Sequence, residues 1–151
     1  MKIFAVSKII FWFLTGAALA FFLLTSFTLI IFEKINSDVA YPGIMVDNRD
    51  LGRKTEQEIA ELFAKDNDQI GNTQFTFSLD AINIIKTSAK ELGFGYDQNL
   101  IAKQAISLGR SNDFLSNVSL ILQAYINSLH LQPAYHYSED VLDKTLAPFI
   151  E

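Results

Sequence analysis

Twenty-four consecutive residues near the amino terminus, from Ile9 to Phe32, carry no charged side chain. As an α-helix a stretch of that length extends about 36 Å, which exceeds the roughly 30 Å hydrocarbon thickness of a bilayer. Backbone in lipid must satisfy its own hydrogen bonds, and a single segment achieves this only as a helix. The polar side chains of the stretch are hydroxyls that can bond back to helix carbonyls: Thr15, Thr25, Ser26 and Thr28. We therefore expect residues 9–32 to form one transmembrane helix in contact with the lipid bilayer.

The placement of lysines predicts how this helix is oriented. Lys2 and Lys8 precede it, whereas Lys34 follows it directly beside the compensating Glu33. Positive side chains are enriched on the cytoplasmic side of a membrane. Residues 1–8 are therefore expected to be a cytoplasmic tail, and the chain after the helix is expected to be extracytoplasmic at the cell membrane.

A cleaved signal peptide is the competing interpretation of the apolar stretch. The apolar region of a signal peptide is usually about 7–15 residues long, which is shorter than residues 9–32. A small-residue cleavage pattern occurs at Ala18-Leu19-Ala20, but it lies inside the apolar run. An uncleaved signal anchor is favoured, and lipid attachment through cysteine is excluded because the chain has none.

The remainder of the chain is acidic and long enough for one small domain. Residues 38–151 contain nine Lys and Arg against sixteen Asp and Glu, a formal net charge of −7. This balance argues against nucleic acid and against an anionic lipid surface as partners. We expect a linker over 33–41 and a domain over 42–151. Two histidines, with no further ligands at suitable spacing, predict no metal site and no cofactor.

Local patterns predict an α+β fold for this domain. Helices are expected where cap residues precede apolar periodicity, after the Thr55–Glu58 capping box, after Asp97 and after Ser138. Residues 114–128 could form a helix or a strand, and the helical spacing of their apolar residues favours a helix, whereas the acidic stretch 66–72 is expected to be a loop. Strands are expected where apolar residues alternate or β-formers cluster: 44–46, 75–79, 82–87, 129–131 and 135–137. Asp80-Ala81 would be the turn between the second and third of these.

Nucleophilic catalysis has little support in the sequence. The chain lacks a Gly-x-Ser-x-Gly motif and has no cysteine. Ser138 stands near His136 and Asp140, but a helix-capping role explains Ser138 without invoking catalysis. Arg110 follows the predicted end of a helix, so it can bond the last helix carbonyls or present a bidentate guanidinium to a ligand carboxylate. Both roles stay open at this point.

Four groups of residues resemble one known family in their order and spacing. They are Pro42-Gly43-Ile44-x-Val46, Asp50-Leu51-Gly52-x-x-Thr55, Glu91-Leu92-Gly93-Phe94-x-Tyr96-Asp97, and Ala102-x-x-Ala105-x-x-Leu108-Gly109-Arg110. Together these resemble the domain assigned to peptidoglycan binding that follows an N-terminal membrane anchor in VanW-type proteins and in some L,D-transpeptidases. The resemblance covers about residues 42–150 and identifies the chain as a truncated or divergent member.

The resemblance implies a bacterial α+β domain that faces the cell wall and binds peptidoglycan without catalysis. The transpeptidase activity is not carried over, because its catalytic cysteine has no counterpart here. Arg110, Asn112 and Tyr96 are the polar residues we expect to contact the ligand. The alternative is a protein-interaction or assembly module of a membrane complex in the cell envelope.

Overall fold

The computed structural model of the protein describes residues 2–78 and 84–149. The chain divides into two compact units, Met1–Ser37 and Asp38–Glu151. The second unit therefore begins at Asp38, and it includes Ala40 and Tyr41, which are buried although the sequence assigned them to a linker. The predicted turn at Asp80-Ala81, together with Leu79 and the start of the following strand, lies outside the described residues.

The first unit consists of one long helix, α1 (Lys2–Ile35). Its part from Ser7 to Ile35 is long and apolar enough to cross a membrane, and the most apolar stretch has none of its residues buried. The expected hydrogen bonds from hydroxyls to helix carbonyls form. Thr15 Oγ1 donates to the Phe11 carbonyl at 2.9 Å, and the hydroxyls of Thr25 and Thr28 likewise donate to the carbonyls four residues before them. An apolar helix compatible with a membrane anchor is thus confirmed, whereas its orientation stays a prediction.

The second unit has an α+β fold, as predicted. Its helices are α2 (Glu56–Ile70), α3 (Gln98–Ser107), α4 (Phe114–Asn127) and α5 (Glu139–Leu146). Its strands are β1 (Ile44–Val46), β2 (Arg49–Asp50), β3 (Gln74–Ser78), β4 (Ile84–Ser88), β5 (Gly95–Tyr96), β6 (Leu129–Leu131) and β7 (Tyr135–His136). A 3₁₀ turn, Ala147–Phe149, follows α5.

Three small sheets join these strands. The first has the order β2-β1-β6, with β1 antiparallel to β2 and parallel to β6. The second is the β3–β4 pair, in which Phe77 lies opposite Ile85. The third pairs β5 with β7, in the register Gly95 to His136 and Tyr96 to Tyr135. Two of the three sheets join strands far apart in sequence, so local patterns could not predict their pairing.

A small apolar core holds α2 and α3 against the first sheet. Its largest fully buried side chains come from both helices and from the β1–β2 region: Phe63, Ile59, Ile101, Ile44, Leu51 and Val46. Small residues on the inner face of α3 let it approach α2 closely, because Ala102 and Ala105 are fully buried. Burying apolar area of this kind is the main favourable term in folding.

Two predicted helix starts are confirmed in detail. Thr55 Oγ1 accepts the Glu58 amide, and the Glu58 carboxylate accepts the Thr55 amide at 2.8 Å, which completes the capping box. The Thr55 amide and the Thr55 hydroxyl both donate to the Glu58 carboxylate, and these two bonds lower the pKa of Glu58. Asp97 accepts the Leu100 amide at the start of α3, and Gly109 beyond its end has a φ of +71°.

Two other expectations were wrong. Residues 66–70 are helical, not loop, because α2 continues to Ile70 and tertiary contacts support its last turns. One of these contacts is the ion pair between Asp66 and Arg49 at 2.9 Å. Ser138 stands at the start of α5 but makes no side-chain cap hydrogen bond, and its amide donates to the Leu92 carbonyl instead.

Candidate functional site

The extension of α2 brings Asn67 to the edge of β5. Asn67 Oδ1 accepts the Tyr96 amide at 2.7 Å, and Asn67 Nδ2 donates to the Tyr96 carbonyl at 3.0 Å. A Cβ at Gly95 would lie 2.6 Å from Asn67 Oδ1, so a glycine is needed where the amide approaches the strand. The Asn67 side chain therefore takes the place of a neighbouring strand for Tyr96.

His136 occupies the other side of the same strand pair. His136 Nδ1 lies 3.1 Å from the Tyr96 carbonyl oxygen, where it donates in the tautomer that carries its proton on Nδ1. The Asp97 amide donates to the Ala134 carbonyl at 2.8 Å and continues the pairing beyond the strand. The side chains of Asn67 and His136 are thus held in place by hydrogen bonds to the main chain of Tyr96.

Two open hollows adjoin this point and share Asn67 and His136 among their walls. We call them together the Asn67 groove. One has a volume of about 290 Å³ and is lined by Asn67, Asp68, Gly71, Asn72, Lys90, Gly93, Phe94, Gly95 and His136. The other has a volume of about 410 Å³ and is lined by Asn67, Tyr96, Asp97, Gln98, Asn99 and His136. These volumes are near the lower end for small-molecule sites.

The walls of the Asn67 groove are rich in neutral carboxamides. Asn72, Gln98 and Asn99 join Asn67, and each carboxamide offers two donors and one acceptor oxygen. Lys90 contributes a positive charge at one end of the groove. Asp68 and Asp97 add a carboxylate to each hollow. Such a surface suits a ligand with many hydroxyl and amide groups and no strong negative charge.

A row of six aromatic rings runs beside the groove. In order the rings are Phe77, Phe75, Phe94, Tyr135, Tyr96 and Phe63. Adjacent ring centroids are 5.0–6.5 Å apart, within the range of favourable aromatic pairs. Phe63 at one end of the row is fully buried in the core, whereas Tyr135 within the row is 48% exposed, so the row connects the core to an accessible ring.

Tyr96 is tied to the β1–β2 turn through its hydroxyl. Tyr96 Oη donates to Asp47 Oδ2 at 2.8 Å, and Tyr135 Oη donates to the same oxygen at 3.4 Å. Burial of Tyr96, reinforced by the hydrogen bond to the Asp47 carboxylate, raises the pKa of the Tyr96 hydroxyl above its ordinary value. Asp47 and Asn48 have φ values of 44° and 63°, as a two-residue hairpin turn requires.

The segment from Glu91 to Asp97, one of the groups in the family resemblance, supplies much of this site. Glu91 accepts the Ser88 amide at 2.8 Å, and Gly93 has a φ of +61°. Phe94 and Tyr96 place their rings in the row, and Asp97 caps α3. Residues of this motif therefore both line the groove and fix the conformation of its wall.

The three residues expected to bind a ligand do not lie together. Tyr96 lines the Asn67 groove, whereas neither Arg110 nor Asn112 lines either of its hollows. Arg110 Nη2 donates to the Val39 carbonyl at 2.7 Å, and its guanidinium lies 4.6 Å from the centroid of the buried Tyr41 ring. Arg110 thus ties the end of α3 to the start of the unit, while Asn112 is exposed in the following turn. A ligand-binding role for these two residues stays a prediction.

Sequence reasoning missed Asn67, Asp47, Phe94, Tyr135 and His136 as members of one site. The strand patterns pointed to Tyr135 and His136, but no local signal pairs them with β5. Over residues 2–78 and 84–149, no group of three or more His, Asp or Glu side chains is arranged to hold a metal ion.

Comparisons of this chain with protein-family models, with curated proteins and with solved structures find no match. The functional assignment therefore depends on the sequence and on the geometry described above.

Proposed function

We propose that this protein is a membrane-anchored, extracytoplasmic module that binds the glycan of peptidoglycan without catalysis. The observation that carries the proposal is the Asn67 groove, where neutral carboxamides line an open surface beside an exposed tyrosine ring. The resemblance of the chain to VanW-type peptidoglycan-binding domains supports the same assignment independently.

The chemistry of the groove matches that of an amino-sugar polymer. Hydroxyl and acetamido groups need donors and acceptors in alternation, which carboxamides supply. The C–H groups of a sugar ring are apolar and can pack against exposed aromatic surface, which Tyr135 offers on the part of its ring that stacking with Phe94 and Tyr96 leaves accessible. An open groove, in contrast to an enclosed pocket, leaves room for a polymer to enter and leave sideways.

The membrane anchor explains how weak binding by the domain could suffice. Helix α1 is long and apolar enough to hold the domain at a membrane. Tethering confines the domain to a thin layer, so its effective concentration at a neighbouring polymer rises without any new contact. A shallow groove with modest affinity is then sufficient to keep the protein close to the wall.

The direct test is co-sedimentation of the full chain, in detergent micelles, with insoluble purified peptidoglycan. We expect retention of the unaltered protein and loss of retention when Asn72 and Asn99 are replaced together by Ala. Asn72 lines one hollow and Asn99 the other, and both residues are exposed, so the fold should persist. Circular dichroism would verify that the variant is folded.

Asn112→Ala is the matched control, because Asn112 is an exposed asparagine outside the groove. It should leave retention unchanged if the groove binds the glycan. If Asn112→Ala abolishes retention and the groove variant does not, the surface next to Arg110 is the binding site. If the folded, unaltered protein stays in the supernatant, peptidoglycan binding is wrong.

An assembly module remains the second candidate, and the exposed apolar face of α4 is the observation that favours it. Crosslinking in cells separates the two candidates. A single dominant protein partner would support assembly, whereas recovery of wall fragments would support glycan binding.

A further inference from the structure

Helix α4 presents an apolar stripe to solvent. Leu115, Leu122 and Ile126 are 76%, 54% and 75% exposed, and their spacing of seven and four residues places them on one face of the helix. Phe114 and Tyr125, 66% and 54% exposed, flank the same stripe. Exposed apolar residues scattered singly are common, whereas a group of them on one helix face, here interrupted by Ser119, is typical of an interaction surface.

The opposite face of α4 is firmly seated in the domain. Ala124, which lies about half a turn around the helix from the stripe, is 1% exposed. Its carbonyl oxygen would overlap a Cβ at Gly43, so the helix packs directly on the main chain there. The side chain of Ile121 likewise packs beside Gly109. The stripe therefore cannot turn inward while α4 keeps these contacts.

The chemistry of the stripe selects an uncharged occupant. Residues 114–138 contain no Asp, Glu, Lys or Arg, although the unit as a whole carries a net charge of −7. Ion pairing with a partner is therefore absent from this face. Tyr125 at its border suits the boundary between acyl chains and headgroups, where tyrosine is enriched.

Chain connectivity favours a membrane as that occupant. Gly43, which packs on α4, follows the end of α1 at Ile35 by only eight positions. Eight residues extend at most about 28 Å, so covalent connectivity limits how far Gly43 can lie from the end of α1 and leaves a bilayer that holds α1 within reach.

We propose that α4 is an interfacial helix, whose stripe of Leu115, Leu122 and Ile126 inserts at the acyl-headgroup boundary of the bilayer that holds α1. The proposal rests on the membrane anchoring in the proposed function, but not on glycan binding. Since the stripe lacks basic residues, insertion needs no anionic lipid and is insensitive to salt, unlike that of basic amphipathic helices.

The absence of native cysteine allows clean single-site spin labelling of the full chain. The variants are Ile126→Cys in the stripe, Asn127→Cys on the polar side of the same helix, and Phe22→Cys in α1 as a reference for lipid. Each is labelled with a nitroxide in phosphatidylcholine nanodiscs, and its accessibility to oxygen is compared with that to a water-soluble nickel chelate. Residues 22, 126 and 127 are all exposed, so the labels should not disturb packing.

We expect the oxygen-to-nickel accessibility ratio at positions 22 and 126 to exceed that at 127 several-fold, at low and at high salt. A ratio at 126 equal to that at 127 would overturn the proposal while leaving the anchor intact. If the nitroxide at position 126 is inaccessible to both oxygen and the nickel chelate, and its spectrum shows dipolar broadening, the stripe packs against a second copy of the chain and the proposal is overturned. A low ratio at position 22 would remove the anchoring itself, whatever the result of the peptidoglycan assay.

Discussion

The Asn67 carboxamide bonds to both main-chain polar atoms of Tyr96, at 2.7 and 3.0 Å, across 29 residues of sequence. β5 is only two residues long, and β7 is its one strand partner among the described residues. Without Asn67, the outer amide of Tyr96 would lose its partner in a part-buried place, which is costly, whereas the Tyr96 carbonyl would keep its contact with His136 Nδ1. A single side chain therefore links α2, the β5–β7 pair and the groove between them.

The first prediction concerns this bond pair. Asn67→Leu keeps the approximate size of the side chain but removes a donor and an acceptor. We expect the free energy of unfolding to fall by about 2 kcal/mol, the range for leaving part-buried polar groups unsatisfied. Urea unfolding of the full chain in detergent, followed by the tyrosine near-ultraviolet circular dichroism, measures the change. Asn99→Leu, at an exposed position of the same groove, is the control and should change it little.

The second prediction concerns the bond between Tyr96 and Asp47. Tyr96→Phe keeps the ring row and removes only the hydroxyl, so it should cost about 1 kcal/mol. In a double-mutant cycle with Asp47→Ala, we expect a coupling free energy of about 0.5–1.5 kcal/mol. Strict additivity of the two substitutions would show that the 2.8 Å hydrogen bond contributes nothing to stability.

The same tyrosine predicts an alkaline limit to stability. Because the folded state raises the pKa of Tyr96, the unfolded state releases this proton more readily. The stabilising contribution is therefore complete below the ordinary tyrosine pKa near 10 and is lost as the pH rises above it. Urea midpoints between pH 9 and 11 should fall less steeply for Tyr96→Phe than for the unaltered protein.

The fourth prediction separates backbone strain from steric overlap at Gly43. Gly43 has a φ of +84° and would place a Cβ against the Ala124 carbonyl oxygen, whereas Gly93, at +61°, has its nearest neighbours at 3.7 Å. Gly93→Ala should cost about 1–2 kcal/mol from conformation alone, and Gly43→Ala about 2 kcal/mol more because α4 must move. Equal unfolding free energies for the two variants would mean that α4 does not pack on Gly43 as described.

Local features of the fold could be predicted from sequence, while features that depend on distant partners could not. Thr55 and Asp97 predict the helices that they precede, because a capping side chain bonds to an amide only three residues further along the chain. For Asn67 the local pattern was misleading. An asparagine in an acidic stretch favours a loop, and only the distant partner Tyr96 explains why Asn67 lies in a helix. Ser138 looked like a cap because nothing local shows that its amide bonds to Leu92.

The candidate site was less predictable than the fold for the same reason. Tyr96 was identified through its motif, but the groove also needs Asn67 from α2 and His136 from β7, which reach it through non-local pairing. Arg110 was expected either to bond the last carbonyls of its helix or to bind a ligand carboxylate. The structure supports a structural role, but the acceptor is the Val39 carbonyl and not a helix carbonyl. Its contribution to ligand binding stays a prediction for the co-sedimentation assay.

The last prediction concerns acid stability and the Glu91 carboxylate. Glu91 accepts the Ser88 amide at 2.8 Å and the Thr87 hydroxyl at 2.9 Å. These bonds, the Ser88 amide first, hold the pKa of Glu91 below its ordinary value near 4.5. The folded state therefore binds this proton less readily than the unfolded state, so the stabilisation is present above pH 4.5 and is lost as the pH falls through the lowered pKa. Glu91→Gln should flatten the decline of the urea midpoint between pH 5 and 3.

A matched variant distinguishes the hydrogen bonds from a general charge effect. Thr87→Val removes one donor to Glu91 and preserves the shape of the side chain. It should raise the pKa of Glu91 towards 4.5 in a side-chain NMR titration, because only the amide and hydroxyl of Ser88 then stabilise the carboxylate. It should also flatten the acid decline in part, between the unaltered protein and Glu91→Gln. An unchanged Glu91 titration in Thr87→Val would assign the lowered pKa to Ser88 alone, and an unchanged acid decline in Glu91→Gln would contradict the prediction altogether.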